Sequence, residues 1–270
     1  MPVIEIRHPI EPKHIRHALF DFDGTISLIR EGWQSVMTAV MVETLRRTPT
    51  RETVAELTAV VSDLIERTTG QQTIYQMIAL RAEVEKRGGP PADPLAYKHE
   101  YLRRLNDHIR GRIAALKAGD LSPESLMVRG AAEFLRSLAE RGVACYLASG
   151  TDEPFVRDEA SALGVAHFFA GIYGAQDDYR NFSKRMVIEK IMAEHDLHGS
   201  QFVAFGDGVV EIEETKAVGG IAIGVASDER TRAGIDPQKR RRLIGVGADA
   251  IIPDFSARTE LLSLLGLSVR

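Results

Sequence analysis

The chain has 270 residues, 44% of them hydrophobic and 27% charged, which is enough for one large domain or for a core with an insert. A formal net charge of −4 and a sequence pI of about 6.1 argue against nucleic-acid binding through general basicity. No run approaches the roughly 18 apolar residues that a membrane span needs, and a single cysteine, Cys145, excludes an intramolecular disulfide.

Residues 1–10 carry proline and charges but no apolar core of a signal peptide, so the expected compartment is the cytoplasm. Val3–Ile6 alternates weakly and predicts an edge strand or an ordered arm, and Pro9 and Pro12 then interrupt regular structure. His8, His14 and His17 cluster without metal-ligand spacing and are read as solvated. The apolar run Ala18-Leu19-Phe20 predicts a short strand buried on both faces. It delivers two carboxylates one residue apart, in Asp21-Phe22-Asp23-Gly24-Thr25. Side chains two apart on extended backbone share a side, so Asp21 and Asp23 can face one reaction centre.

A helical texture follows for about a hundred residues, longer than an ordinary crossover. Trp33–Arg47 carries an apolar stripe at Trp33, Val36, Met37, Val40, Met41 and Leu45. Pro49 breaks it, and Thr50 is the expected cap of a second helix, Arg51–Thr68. A third spans Gln71–Lys86 and ends at Gly88-Gly89-Pro90-Pro91; a fourth spans Pro94–Lys117. From Val128 the pattern alternates between helix and short apolar strand. Helices are expected at Gly130–Arg141, Asp152–Leu163, Lys184–His195, Val210–Val218 and Thr259–Leu265. Strands are expected at Val143–Ala148, Phe168–Tyr173, Phe202–Phe205, Ile221–Val225 and Ala250–Ile252. Cys145, inside one of these strands, is expected to be a buried thiol. Arg240-Arg241-Arg242 is read as a solvated helix face.

Three further chemical groups fall at strand ends or a helix start. Ser149-Gly150-Thr151 follows a strand and offers a hydroxyl and free backbone N–H groups for a phosphate oxygen. Lys184 opens a helix behind Ser183, where a cation opposes the macrodipole unless an anion lies nearby. Gly206-Asp207-Gly208, with Glu211 four residues beyond Asp207, suits a magnesium ligand at a strand terminus.

Taken in order, these stretches resemble the four motifs of the haloacid dehalogenase (HAD) superfamily, in its phosphoglycolate-phosphatase-like and phosphomutase-like branch. The resemblance implies an α/β fold: a Rossmann-like, doubly wound, mostly parallel sheet with an inserted all-helical cap. The core would comprise residues 1–27 and 125–270, with residues 28–124 as the cap. It further implies a magnesium-dependent phosphatase acting on a small phosphorylated metabolite. Asp21 would be the nucleophile and Asp23 the general acid and base. Ser149, Gly150 and Lys184 would bind the phosphate. Mg2+ would be held by Asp21, the Asp23 backbone carbonyl and Asp207, with Glu211 supporting it directly or through water. Glu211 stands where the family more often has aspartate. A phosphomutase would carry the same four motifs, and a noncatalytic phosphometabolite-binding protein could use the same fold. Asp23 counts against dehalogenation, whose enzymes lack the second acid. Arg30, Trp33, Arg103 and Arg104 are conceivable substrate contacts, with packing and surface roles as the competing reading.

Overall fold

A computed structural model describes residues 4–12 and 14–268. Among the described residues, seven strands form one sheet: β1 (Glu5–Ile6), β2 (His17–Phe20), β3 (Ala144–Asp152), β4 (Phe169–Ala175), β5 (Phe202–Gly206), β6 (Ile221–Val225) and β7 (Ala250–Ile252). Their order is β1-β7-β6-β5-β2-β3-β4; only β1 runs antiparallel, on β7. The mostly parallel sheet expected from the alternating pattern is therefore present. Val3 lies outside the described residues, while Glu5 and Ile6 form the anticipated edge strand.

The central strand is β2, flanked by β5 and β3. Phe20 pairs with Phe205 on one side and with Leu147 on the other. This register sets Asp21, Ala148-Ser149 and Gly206-Asp207 at one level, just beyond the paired residues. The strand order reverses at β2, so this carboxyl edge is the topological switch point where ligands of such sheets bind.

Alternation along β2 decides which helices cover it. Phe20 faces an aromatic cluster with Phe134, Phe205 and Phe255; Phe20 and Phe205 stack with centroids 4.7 Å apart. Phe134 comes from α5 (Ala131–Ala139). Leu19 belongs to the opposite face, where Val187, Ile188 and Ile191 of α7 (Lys184–Glu194) join Phe202 and Ala204. The remaining helices of this unit are α6 (Glu153–Ala162), α8 (Val209–Ala217), α9 (Pro237–Gly245) and α10 (Arg258–Leu264).

By packing, the chain divides into two compact units, residues 1–31 with 113–270, and residues 32–112. In the second, all regular structure is helical: α1 (Trp33–Leu45), α2 (Val54–Thr68), α3 (Thr73–Lys86) and α4 (Pro94–Ala118) as far as Arg112. The cap of α2 is Thr53, not Thr50. Its hydroxyl accepts from Glu56 N at 3.3 Å, while Glu56 Oε2 accepts from Thr53 N at 2.7 Å. Only Thr53 has a glutamate three residues on, the spacing a capping box needs. Arg103 is engaged by Glu100 and Asp107, and Arg104 by Glu100 and Glu43.

His17 departs from its expected solvation. It opens β2 one residue earlier than the apolar run implied and is buried. Its ring stacks on His195 at 4.3 Å, and Nδ1 has no hydrogen-bond partner among the described residues. Burial, with His195 and Arg16 adding repulsion, pushes its pKa down to about 4. An unfolded chain would take up that proton near the ordinary value of 6.5. Folding stability should thus fall as pH drops from about 6.5 to about 4. Denaturant titrations of His17→Leu should show that slope flattened; an unchanged slope would remove His17 from the acid sensitivity. Cys145 is buried as expected, its thiol pushed up to about 12 by desolvation, so it is an inert packing group.

Candidate active site

The β2 backbone ends at Asp21, and the chain then turns sharply at Gly24, whose φ is +74°. A Cβ there would fall on the Asp207 carboxylate and lie 2.9 Å from Lys239 Nζ. The glycine is what allows the turn after β2 to lie against the loop after β5.

Asp21 is buried, and Lys184 Nζ lies 2.9 Å from its Oδ1. The same ammonium donates to Glu211 Oε2 at 2.8 Å. Ser183 caps α7 by accepting from Met186 N, which places Lys184 in the first turn. Its charge opposes the helix dipole, and burial opposes it too, yet Asp21 and Glu211 outweigh both and hold its pKa above the ordinary value. Desolvation raises the Asp21 pKa well above the usual range; Lys184 opposes this, and Glu211 and Asp207 add to it.

Asp21, Asp207 and Glu211 each offer an oxygen, and these atoms lie within 4.8 Å of one another. An all-oxygen, all-anionic donor set fits a hard divalent cation such as magnesium, and the crowding that raises the Asp21 pKa is the repulsion such a cation would offset. Glu211 is fully buried, and both its oxygens are engaged: Oε1 accepts from Gly208 N at 2.6 Å, Oε2 from Lys184.

Asp23 sits apart from that trio. Its Oδ2 accepts from Thr151 Oγ1 at 2.8 Å, while Oδ1 is buried without a hydrogen-bond partner among the described residues. Desolvation pushes its pKa up to about 7, against the pull of Arg30. Two neighbouring carboxyls thus differ in setting: Asp21 is ion-paired with Lys184, whereas burial raises the Asp23 pKa to about 7.

The strand bearing Ser149 does not stop at Ala148. β3 runs on to Asp152 through an irregularity, with Ala148 opposite Tyr173 and Asp152 opposite Ala175. Ser149 and Gly150 therefore lie in a bulged extension of the strand, before α6 begins at Glu153. The Ser149 hydroxyl accepts from Thr151 N at 3.0 Å, so its own proton remains available to a ligand oxygen.

Glu159 and Lys239 lie outside the residues that the sequence singles out, and Arg30, one of the conceivable substrate contacts, takes a packing role. Arg30 is a buried partner of Glu159, with Nη2–Oε1 at 2.6 Å, and its Nε lies 3.9 Å from Asp23 Oδ1. Lys239 Nζ contacts Asp207 Oδ2 and Glu229 Oε1, each at 2.7 Å. The signal for Lys239 was its spacing four residues before Leu243, on the buried face of α9. Glu159 gave no local signal. The arginine run after Lys239 is not a uniformly solvated face. Arg240 pairs with Glu5, Arg242 donates to the Asp207 carbonyl at 3.2 Å, and Arg241 is exposed. Arg30→Met should destabilise the fold by about 3–5 kcal/mol, because it strands the buried Glu159 charge. Adding Glu159→Leu should recover most of the loss in denaturant melts; no recovery would show that the pair is not the source.

A family model described as haloacid dehalogenase-like hydrolase matches residues 15–219. No curated protein matches the chain. Solved structures share the fold at low identity. A predicted phosphoglycolate phosphatase of Haemophilus somnus 129pt superposes with TM-score 0.61 at 14% identity, over 92% of this chain and 98% of that one. CbbY of Rhodobacter sphaeroides, in complex with phosphate, gives 0.57 at 18%, over 94% and 100%. The HAD-hydrolase YfnB of Bacillus subtilis, bound to magnesium, gives 0.56 at 15%, over 94% and 99%.

Proposed function

Because the chain belongs to the haloacid dehalogenase-like hydrolase family, we propose that it is a magnesium-dependent phosphatase of a small phosphorylated metabolite, acting through a phosphoryl group carried on Asp21. The observation that carries the reading is the convergence of Asp21, Lys184, Asp207 and Glu211 at one sheet edge, with Lys184 Nζ 2.9 Å from the proposed nucleophile.

Asp21 attacks phosphorus with a carboxylate oxygen, and the bond to the leaving oxygen breaks. Asp23, whose proton is retained to about pH 7, protonates that oxygen, and afterwards takes a proton from the water that attacks the aspartyl phosphate. Ser149 and Gly150 offer a hydroxyl and a backbone N–H to the phosphoryl oxygens. Lys184 spends two of its three N–H groups on Asp21 and Glu211, which leaves one for the phosphoryl group as its charge spreads in the transition state. Asp21, Asp207 and the Asp23 backbone carbonyl would hold magnesium, which supplies neutralisation of the repulsion between nucleophile and phosphate. Glu211, whose oxygens also accept from Gly208 N and Lys184, would support that ion directly or through water. The helical insert would serve as the cap that the family resemblance implies. The CbbY and Haemophilus structures support the assignment as relatives described by phosphate and by phosphoglycolate phosphatase.

Phosphate release should be measured over a panel of small phosphomonoesters, with magnesium and with chelator. Magnesium-dependent release from at least one, without a bisphosphate activator, is expected. Isomerisation without release would make the protein a mutase. Silence across the panel would favour a binding role.

A further inference from the structure

Lys239 occupies a position that the proposed reaction does not use. It stands on α9, is 8% exposed, and comes from a segment far from the four motifs. An ammonium has three N–H donors, and three acceptors surround this one: Asp207 Oδ2 and Glu229 Oε1 at 2.7 Å, and Ser227 Oγ at 3.4 Å. Ser227 in turn donates to the Gly24 carbonyl at 2.6 Å, which ties the group to the turn after β2. With its donors engaged, Lys239 differs from Lys184 and has no hydrogen left for a substrate phosphate. Its contact is with one oxygen of Asp207, a carboxylate of the proposed metal site.

Two effects of that contact oppose each other. The hydrogen bond orients Asp207, which favours binding of a cation at its other oxygen. The positive charge lies one carboxylate away from that cation and repels it. Asp207 is also held from its backbone side, by Arg242 on its carbonyl and by β5 directly before it. The Asp207 backbone is thus fixed independently of Lys239, and of the two effects the charge is the larger, a unit charge one carboxylate away from a divalent ion. Glu229, on the far side of Lys239, opposes the repulsion.

We propose that Lys239 is a positioning residue that lowers the affinity of the Asp207 site for magnesium, and that Glu229 sets how strongly it does so. The pair keeps the site exchangeable with free magnesium where its acids alone would bind the ion more tightly. This rests on the metal reading given above.

The test is calorimetric titration of magnesium chloride into the full-length protein and its variants, without substrate. Lys239→Met keeps most of the length of the side chain and removes the charge. It should bind magnesium on the order of tenfold more tightly, as a unit charge one carboxylate from a divalent ion implies even in a water-like dielectric. Glu229→Gln, which leaves the Lys239 charge unopposed, should bind severalfold more weakly, and the double variant should return towards the parent. Opposite signs from two partners of one ion pair are what loosened packing cannot produce. If Lys239→Met does not fold, weaker binding in Glu229→Gln still supports the proposal and unchanged binding overturns it. Equal affinity in all the proteins, or weakening in both single variants, overturns the role of Lys239 and leaves the phosphatase reading intact. Magnesium binding undetectable in the parent would overturn both.

Discussion

Asp21→Asn should leave a folded protein with turnover reduced roughly a million-fold, the scale seen when a covalent nucleophile is removed. An amide has the size of the carboxylate but not its nucleophilicity, and it is a weaker ligand for a hard cation. The fold should survive for a reason specific to this site. Asp21 is desolvated and crowded by Glu211 and Asp207, and all three press its pKa upward. Neutralising it relieves that repulsion, while Glu211 still holds Lys184 at 2.8 Å. The variant should therefore melt at or above the temperature of the parent. Near-parental turnover would remove Asp21 from the chemistry, and a collapsed fold would show that the Lys184 pair is structural first.

Asp23→Asn should lower turnover by about a hundred- to ten-thousandfold, the usual contribution of general acid–base catalysis. The two halves of the reaction should suffer unequally. Esters whose leaving group needs no proton should still phosphorylate Asp21, whereas hydrolysis of the aspartyl phosphate still lacks its base. The phosphorylated protein should accumulate. The parent enzyme should also lose kcat/KM as pH rises through about 7, because the first step needs Asp23 protonated and its carboxyl is pushed up to about 7. The sign follows from the acid role; a base-only role would make activity rise through the same window. A flat alkaline limb in the parent, together with unaltered single-turnover kinetics in the variant, would contradict the assignment.

Much of this site could be read from local sequence, because its parts obey local rules. An apolar strand that ends in Asp21-Phe22-Asp23-Gly24-Thr25 needs no tertiary information to bring two acids to one edge. The same holds for Gly206-Asp207 after β5 and for Lys184 behind its Ser183 cap. The parallel sheet then aligns these ends by register, Phe20 opposite Phe205 and Leu147. What stayed illegible was the set of buried charges whose partners lie far away in the chain. Arg30 and Glu159 are 129 residues apart, so nothing local to either one shows the pairing. His17 read as solvated because nothing local shows that β5 and β3 both pair with it. Lys239 was hidden beside three arginines whose exposure was assumed for the whole run. The Thr50 error differed in kind, since Thr53-x-x-Glu56 was available and is the stronger signal.

The most direct test of the account is to find the phosphoryl group on Asp21. The Asp23→Asn protein would be mixed with magnesium and p-nitrophenyl phosphate, whose leaving group departs without a proton, and quenched in acid. Intact and peptide mass spectrometry would then locate any added phosphoryl group. The account predicts one group per chain on the peptide containing Asp21, labile to hydroxylamine as an acyl phosphate is. A phosphoryl group on another residue, or none in a preparation that still releases p-nitrophenol in a burst, would contradict it.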